Sequence, residues 1–194
     1  MPSENRRKRL VIAATGASGS PLLRECLRLV RAQPGWESCL IMSRGAKVTL
    51  GYETDLSVEE VYGMADAVLE PEDIDAGPAS GSYPAEGMLV VPCSMKTVAG
   101  IASGYADSLI LRAADVTIKE QRPLVLAARE APLSAVHLRN LLELSRLPGV
   151  RIVPPVLTYY HRPGSVEDMT RYCACRLLQP FGLEVEGMFR WGEK

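Results

Sequence analysis

Residues 88–134 read MLVVPCSMKTVAGIASGYADSLILRAADVTIKEQRPLVLAAREAPLS, and this stretch decides the fold. Two short apolar runs, 88–91 and 123–128, each stop at polar residues: Cys93 and Ser94 after the first, Arg129 and Glu130 after the second. Continuous apolar runs of this length read as strands buried on both faces, as in parallel sheets. Between them lies a helical stretch carrying Arg112, Asp115, Lys119 and Glu120. Ligands of open α/β sheets bind beyond the carboxyl ends of such strands, so these polar groups stand where a site belongs.

The same alternation extends in both directions. Residues 9–14 and 38–42 read as two earlier strands and 151–153 as a later one, with helices over 21–31, 46–50, 94–103, 105–119 and 134–146. Ser57 with Glu60, and Ser165 with Asp168, have the spacing of helix-opening caps. Residues 71–83, rich in Asp, Gly, Pro and Ser, read as an irregular loop. Strands alternating with helices give an α/β, Rossmann-like (flavodoxin-like) three-layer sandwich with a mainly parallel sheet. At 194 residues, 47% of them apolar, the chain suits one domain over 1–194, with a core near 8–183 and a tail over 184–194.

The net charge of −1 leaves no electrostatic footprint for nucleic acid or an anionic membrane. No apolar run approaches the ~20 residues that span a bilayer. The start, MPSENRRKRLVIAATG, lacks a signal-peptide pattern, which places the expectation in the cytoplasm. Five scattered cysteines give no disulfide framework, and the two histidines sit in no ligand motif, so no metal is expected.

Each candidate site residue has a bland reading beside its chemical one. Thr15-Gly16-Ala17-Ser18-Gly19 joins a strand to a helix, either as an anion cradle or as plain turn geometry. Ser43 reads as a helix cap, and Glu53 as a solvated loop carboxylate. Ser94, Met95, Lys96 and Thr97 open a helix whose N–H groups and hydroxyls suit either a cap or a bound anion. Cys93 has no histidine in a pairing motif and does not read as a nucleophile. Arg112 and Asp115 have i,i+3 spacing for a surface ion pair. Arg129 ends a buried strand, where a guanidinium is shaped for phosphate. Met169, Tyr172, Cys173, Arg176, Leu177 and Pro180 share one helical face, so Arg176 is expected to interrupt an apolar stripe and to meet a carboxylate or a bound anion.

The blocks TGASGS, PCSMKTVAGIASGYADSLILRAADVTIKEQRPLVLAAREAPLS, TYYHRP and FGLEVEGMFRW, in this order, resemble the UbiX-type flavin prenyltransferases over nearly the whole chain, in the branch whose members accompany phenolic-acid decarboxylases. The resemblance implies that Gly16, Ala17, Ser18, Ser43, Ser94, Met95, Lys96, Thr97 and Arg129 contact FMN. It implies that Arg112, Lys119, Tyr160 and Arg176 bind dimethylallyl phosphate, partly across a subunit boundary, and that Glu53, Lys119 and Glu130 are catalytic. Ser20, Gln121 and Ala127-Ala128 depart from the usual Ala, Arg and Val-Pro. The implied reaction joins a dimethylallyl group to N5 and C6 of reduced FMN without metal, in a homododecamer, for a UbiD-type decarboxylase. A non-catalytic FMN-binding subunit and a flavin-dependent cysteine-type decarboxylase are the competing readings.

Overall fold

The protein, described by a computed structural model over residues 6–185 and 188–192, alternates strand and helix along its length. It opens with β1 (Lys8–Ala14), α1 (Ser20–Arg31), β2 (Trp36–Met42), α2 (Arg44–Glu53), α3 (Val58–Tyr62) and β3 (Ala67–Leu69). A long connection containing one 3-10 turn (Gly77–Ala79) leads to β4 (Gly87–Cys93), α4 (Met95–Ser103) and α5 (Leu109–Lys119). Then follow β5 (Leu124–Ala128), α6 (Ala135–Ser145), β6 (Val150–Ile152) and α7 (Val166–Leu178).

The strands form one sheet in the order β3-β2-β1-β4-β5-β6, and every pairing is parallel. Without β3 the order would be the 2-1-3-4-5 of flavodoxin-like sheets; with it, the order is the doubly wound 3-2-1-4-5-6. Either way the strand order reverses between β1 and β4, which opens a crevice at their carboxyl ends.

Side-chain alternation along the strands builds two cores. Leu10, Ile12 and Ala14 of β1 and Leu89 and Val91 of β4 face α1 and α7; Val11, Ala13, Met88 and Val90 face α4 and α5. Helix α1 buries Leu22, Leu23, Cys26, Leu27 and Val30, a helical stripe that seats it on the first core. Glu25 ties α1 to α7: it accepts from Arg28 at 2.6 Å and from Arg171 at 3.3 Å. Hydrogen bonding from Arg28, opposed by burial and aided by Arg171, holds its carboxyl below the usual range.

Several expected boundaries shift. Helix α5 begins at Leu109 rather than 105, because the Ser108 side chain accepts from Leu111 N and caps it there. The edge strand β3 was not foreseen; three half-exposed residues carry no periodic signal. The caps at Ser57 and Ser165 are present, Ser57 with its reciprocal Glu60 partner. In the tail, Val185 is buried and Met188 packs on the first core, while Glu186, Gly187, Glu193 and Lys194 lie outside the described residues.

Leu89 is fully buried in β4, at the centre of the sheet. Truncating it to alanine is expected to destabilise the fold by about 2–5 kcal/mol, through lost transfer energy and the cavity left behind. Chemical denaturation of Leu89→Ala against the parent chain measures this directly.

Candidate active site

Four strand ends converge on one cavity of about 620 Å³, lined by Thr15 and Gly16 after β1, Ser43 and Gly45 after β2, Ser94–Thr97 after β4 and Glu130 after β5. Its size falls within the ~300–1,000 Å³ of small-molecule sites. Thr15 joins two of these turns. Its backbone N–H and its hydroxyl both donate to Pro92 O at 3.0 Å, and the hydroxyl accepts from Ser94 N at 2.8 Å. Sequence reasoning placed Thr15 at the head of the TGASG turn without a role of its own; only the fold sets the β1 and β4 ends side by side.

The serines cap their helices and also stand at the cavity wall. Ser43 caps α2 by accepting from Ala46 N at 3.1 Å, and Ser94 caps α4 by accepting from Thr97 N at 3.4 Å, while both line the cavity. Capping leaves the helix N-termini, with their partial positive charge, turned toward the same space. Gly16 and Gly45 touch backbone to backbone: a Cβ on Gly16 would lie 3.2 Å from Gly45 Cα. The absence of side chains lets these two turns close into a continuous backbone wall. A broad cavity walled by exposed N–H groups, hydroxyls and Lys96 fits a flavin mononucleotide, whose phosphate and ring edges need donors.

Ala17 is buried under the turn, and Ser18 bonds the Glu53 carboxylate. Arg129 is exposed on the rim next to Glu130, its backbone N–H donating to Cys93 O at 3.1 Å. Burial pushes the Cys93 thiol up to about 12, which agrees with a structural rather than nucleophilic role.

Glu53 is not a solvated loop carboxylate. Helix α1 has Gly19 at its N-cap with no side-chain cap of its own, and Glu53, at the end of α2, supplies the missing acceptor. Its carboxylate accepts from Gly19 N at 3.0 Å and from Ser20 N at 2.7 Å. Burial raises its pKa, but hydrogen bonds from Ser18, Gly19 and Ser20 outweigh this and hold it below the usual value.

The remaining charged candidates stand elsewhere. Arg112 donates through Nε to Ala79 O at 3.1 Å and through Nη1 to Asp115 at 2.6 Å, the i,i+3 pair that its spacing suggests. Lys119 pairs with Glu120. Tyr160 and Arg176 line a second cavity of about 720 Å³ with Val153–Val156, Tyr172 and Trp191. The expectation of a buried Arg176 is overturned. The buried face of α7 is centred on Ala174, Leu177 and Leu178, and Arg176 projects from its margin to donate to Gln179 Oε1 at 2.7 Å. An exposed guanidinium carries no desolvation cost and needs no buried counter-charge. Among the described residues no cluster of three or more His, Cys, Asp and Glu side chains suits a metal ion.

With this geometry in view, comparison with known proteins is informative. The Flavoprotein family profile matches residues 1–171. A probable UbiX-like flavin prenyltransferase from Streptomyces sp. (strain D7) is 48% identical over 183 residues, covering 94% of this chain and 91% of that one. The chain belongs to the UbiX-like flavin prenyltransferase family. A solved UbiX (AnUbiX, PadA1) in complex with FMN and dimethylallyl pyrophosphate shares 46% identity and a TM-score of 0.93, covering 97% of this chain and 100% of that one. A dodecameric FMN-dependent UbiX-like decarboxylase from Escherichia coli O157:H7 shares 46% identity and a TM-score of 0.92, covering 95% and 100%.

Because the folded pKa of Glu53 is depressed, its stabilisation is present above the unfolded carboxyl value and is lost as pH falls through the folded one. Glu53→Gln is therefore expected to cost about 1 kcal/mol at neutral pH, the size of a lost cap. The difference from the parent shrinks in acid, where both states of the parent carboxyl are protonated. Denaturation of both chains across the acid range checks the sign.

Proposed function

We propose that this protein is a flavin prenyltransferase that joins the dimethylallyl group of dimethylallyl phosphate to reduced FMN. The observation that carries the reading is the convergence of the TGASG, SRG, CSMKT and Glu130 segments on one flavin-sized cavity at the sheet's carboxyl rim. Bound reduced FMN supplies N5 and C6, the two atoms to which the prenyl group would be joined. The residues proposed to hold it are Gly16, Ala17, Ser18, Ser43, Ser94, Met95, Lys96, Thr97 and Arg129.

Breaking an allylic C–O bond places negative charge on the departing phosphate. Cations and donors fixed around it lower that barrier. Lys119, Arg112, Tyr160 and Arg176 are the proposed set. Within one chain Tyr160 and Arg176 line one cavity, the flavin-sized cavity is lined by other residues, and Arg112 and Lys119 border the 77–83 loop. We therefore read the complete site as shared between copies, in a homododecamer. Glu53, held ionised by its donors, is a fixed negative charge that would assist a proton transfer rather than take the proton itself. Glu130 faces the flavin cavity, and its carboxylate accepts from Ala131 N at 3.0 Å. Closing the second bond adds a proton to the prenyl double bond and removes one from C6; the departing phosphate, assisted by Glu130 or Glu53, would carry it.

The product would serve a UbiD-type decarboxylase. No described helix is long and apolar enough to cross a membrane, and the proposed setting is the cytoplasm.

Anaerobic incubation with reduced FMN and dimethylallyl phosphate, followed by mass spectrometry of the released flavin, is expected to show the gain of one five-carbon unit. Unmodified flavin from protein that binds FMN, with the diphosphate donor also tried, would overturn the proposal in favour of a carrier subunit or a decarboxylase. Lys119→Ala is expected to lower turnover by about 10²-fold or more, as does loss of a preorganised donor elsewhere, and to leave FMN binding unchanged by fluorescence titration.

A further inference from the structure

The long connection between β3 and β4 is irregular, yet its second half is fastened to the rest of the fold. Arg122, just before β5, is half-buried and donates through Nη1 to Tyr83 O at 2.8 Å and through Nη2 to Gly81 O at 2.7 Å. The planar fork of a guanidinium holds two carbonyls in one rigid geometry, whereas the three donors of a lysine ammonium rotate freely. Arg112 holds a third carbonyl of the same loop, Ala79 O. Tyr83 packs its ring under the Arg9 guanidinium at 4.8 Å and anchors the loop at its end.

The clamped backbone at Gly81 lies directly on the end of α5. A Cβ built on Gly81 would collide with the Glu120 carboxylate and come within 2.8 Å of Lys119 Nζ. Both neighbours are tips of flexible side chains, so a methyl at this position would push the Lys119–Glu120 pair aside rather than disrupt the fold. Lys119 has a flexible four-carbon stem and is about half exposed, so its own packing does not fix its head. The loop wall and Glu120 do.

We infer that Arg122 is a positioning residue for Lys119: it touches no reacting atom, but by clamping the carbonyls of Gly81 and Tyr83 it sets the wall against which the Lys119 ammonium is held. This rests on the reading of Lys119 as a donor-phosphate ligand. It adds a residue that the motif comparison did not single out, and gives a physical reason for glycine at 81.

The test uses the full-length protein with Arg122→Gln, Arg122→Lys and Gly81→Ala. Donor KM, kcat and FMN Kd are measured for each. The lysines are also reductively methylated with carbon-13, so that the Lys119 resonance, identified by its loss in Lys119→Ala, reports its surroundings without turnover. Arg122→Gln is expected to raise the donor KM by about tenfold or more, in line with small misplacements of binding groups, with FMN Kd unchanged. Its Lys119 resonance should move to the position of a solvent-exposed lysine. Arg122→Lys should recover part of the loss. Gly81→Ala, which keeps Arg122, should reproduce the rise in donor KM.

An unchanged Lys119 resonance together with unchanged donor KM in Arg122→Gln would overturn the inference. So would a parallel loss of FMN affinity, thermal stability and donor affinity, which would mark Arg122 as general support. If the parent chain makes no prenylated flavin, the functional reading fails by itself, and the Lys119 resonance alone decides whether Arg122 positions it.

Discussion

Parallel pairing of all the described strands is the constraint from which the rest follows. A parallel sheet brings every carboxyl end to one rim and every helix N-terminus that follows to the same side. Here this gathers turns that are far apart in sequence, after Ala14, Met42, Cys93 and Ala128, around one cavity. Burial makes the arrangement durable: β4 and β5 have no exposed residue, and both sheet faces are covered by helices. Thr15 then locks the crevice where the strand order reverses, with its hydroxyl bridging Pro92 and Ser94. The chemistry depends on that rim because a flavin's phosphate and ring edges need more donors than any single turn provides.

Much of this was legible in the sequence for identifiable reasons. The strands buried on both faces are continuous apolar runs, and their ends coincide with the caps that begin the next helix, as at Ser43 and Ser94. What escaped were features made by tertiary contact. Strand β3 spans three half-exposed residues and is defined by its pairing with Cys39–Ile41 of β2, next to Asp66, which accepts from Ser38 N at 2.9 Å and from Arg7 at 2.8 Å. Glu53 reads as an ordinary surface acid, since nothing local reveals that α1 starts at a glycine and borrows its cap from 33 residues away. The Arg176 expectation failed on phase. Six positions at helical spacing included the margin of α7 as well as its centre, and a sequence stripe does not say which edge meets solvent.

The same distinction separates the two halves of the proposed site. The proposed flavin half is built from backbone turns and caps, and most of the residues proposed for it line one cavity of the chain. The donor half consists of long charged or aromatic side chains: Arg112 and Lys119 against the 77–83 loop, Tyr160 and Arg176 beside the C-terminal segment. These line different surfaces of the chain, so the proposed donor site would draw them from neighbouring copies. Tyr160 is 71% exposed and meets Trp191 edge-on, an arrangement open to further contact rather than closed within its own fold.

This sharing between copies is the central claim, and subunit complementation tests it most directly. Lys119→Ala and Arg176→Ala chains would be unfolded together, refolded into mixed oligomers and assayed for prenylated flavin against each variant alone. Mixing is expected to restore activity, because sites drawing Lys119 and Arg176 from different chains will in some cases contain neither defect. Mixed oligomers no more active than the single variants would contradict the claim, and would mean that each chain assembles its donor site from its own residues.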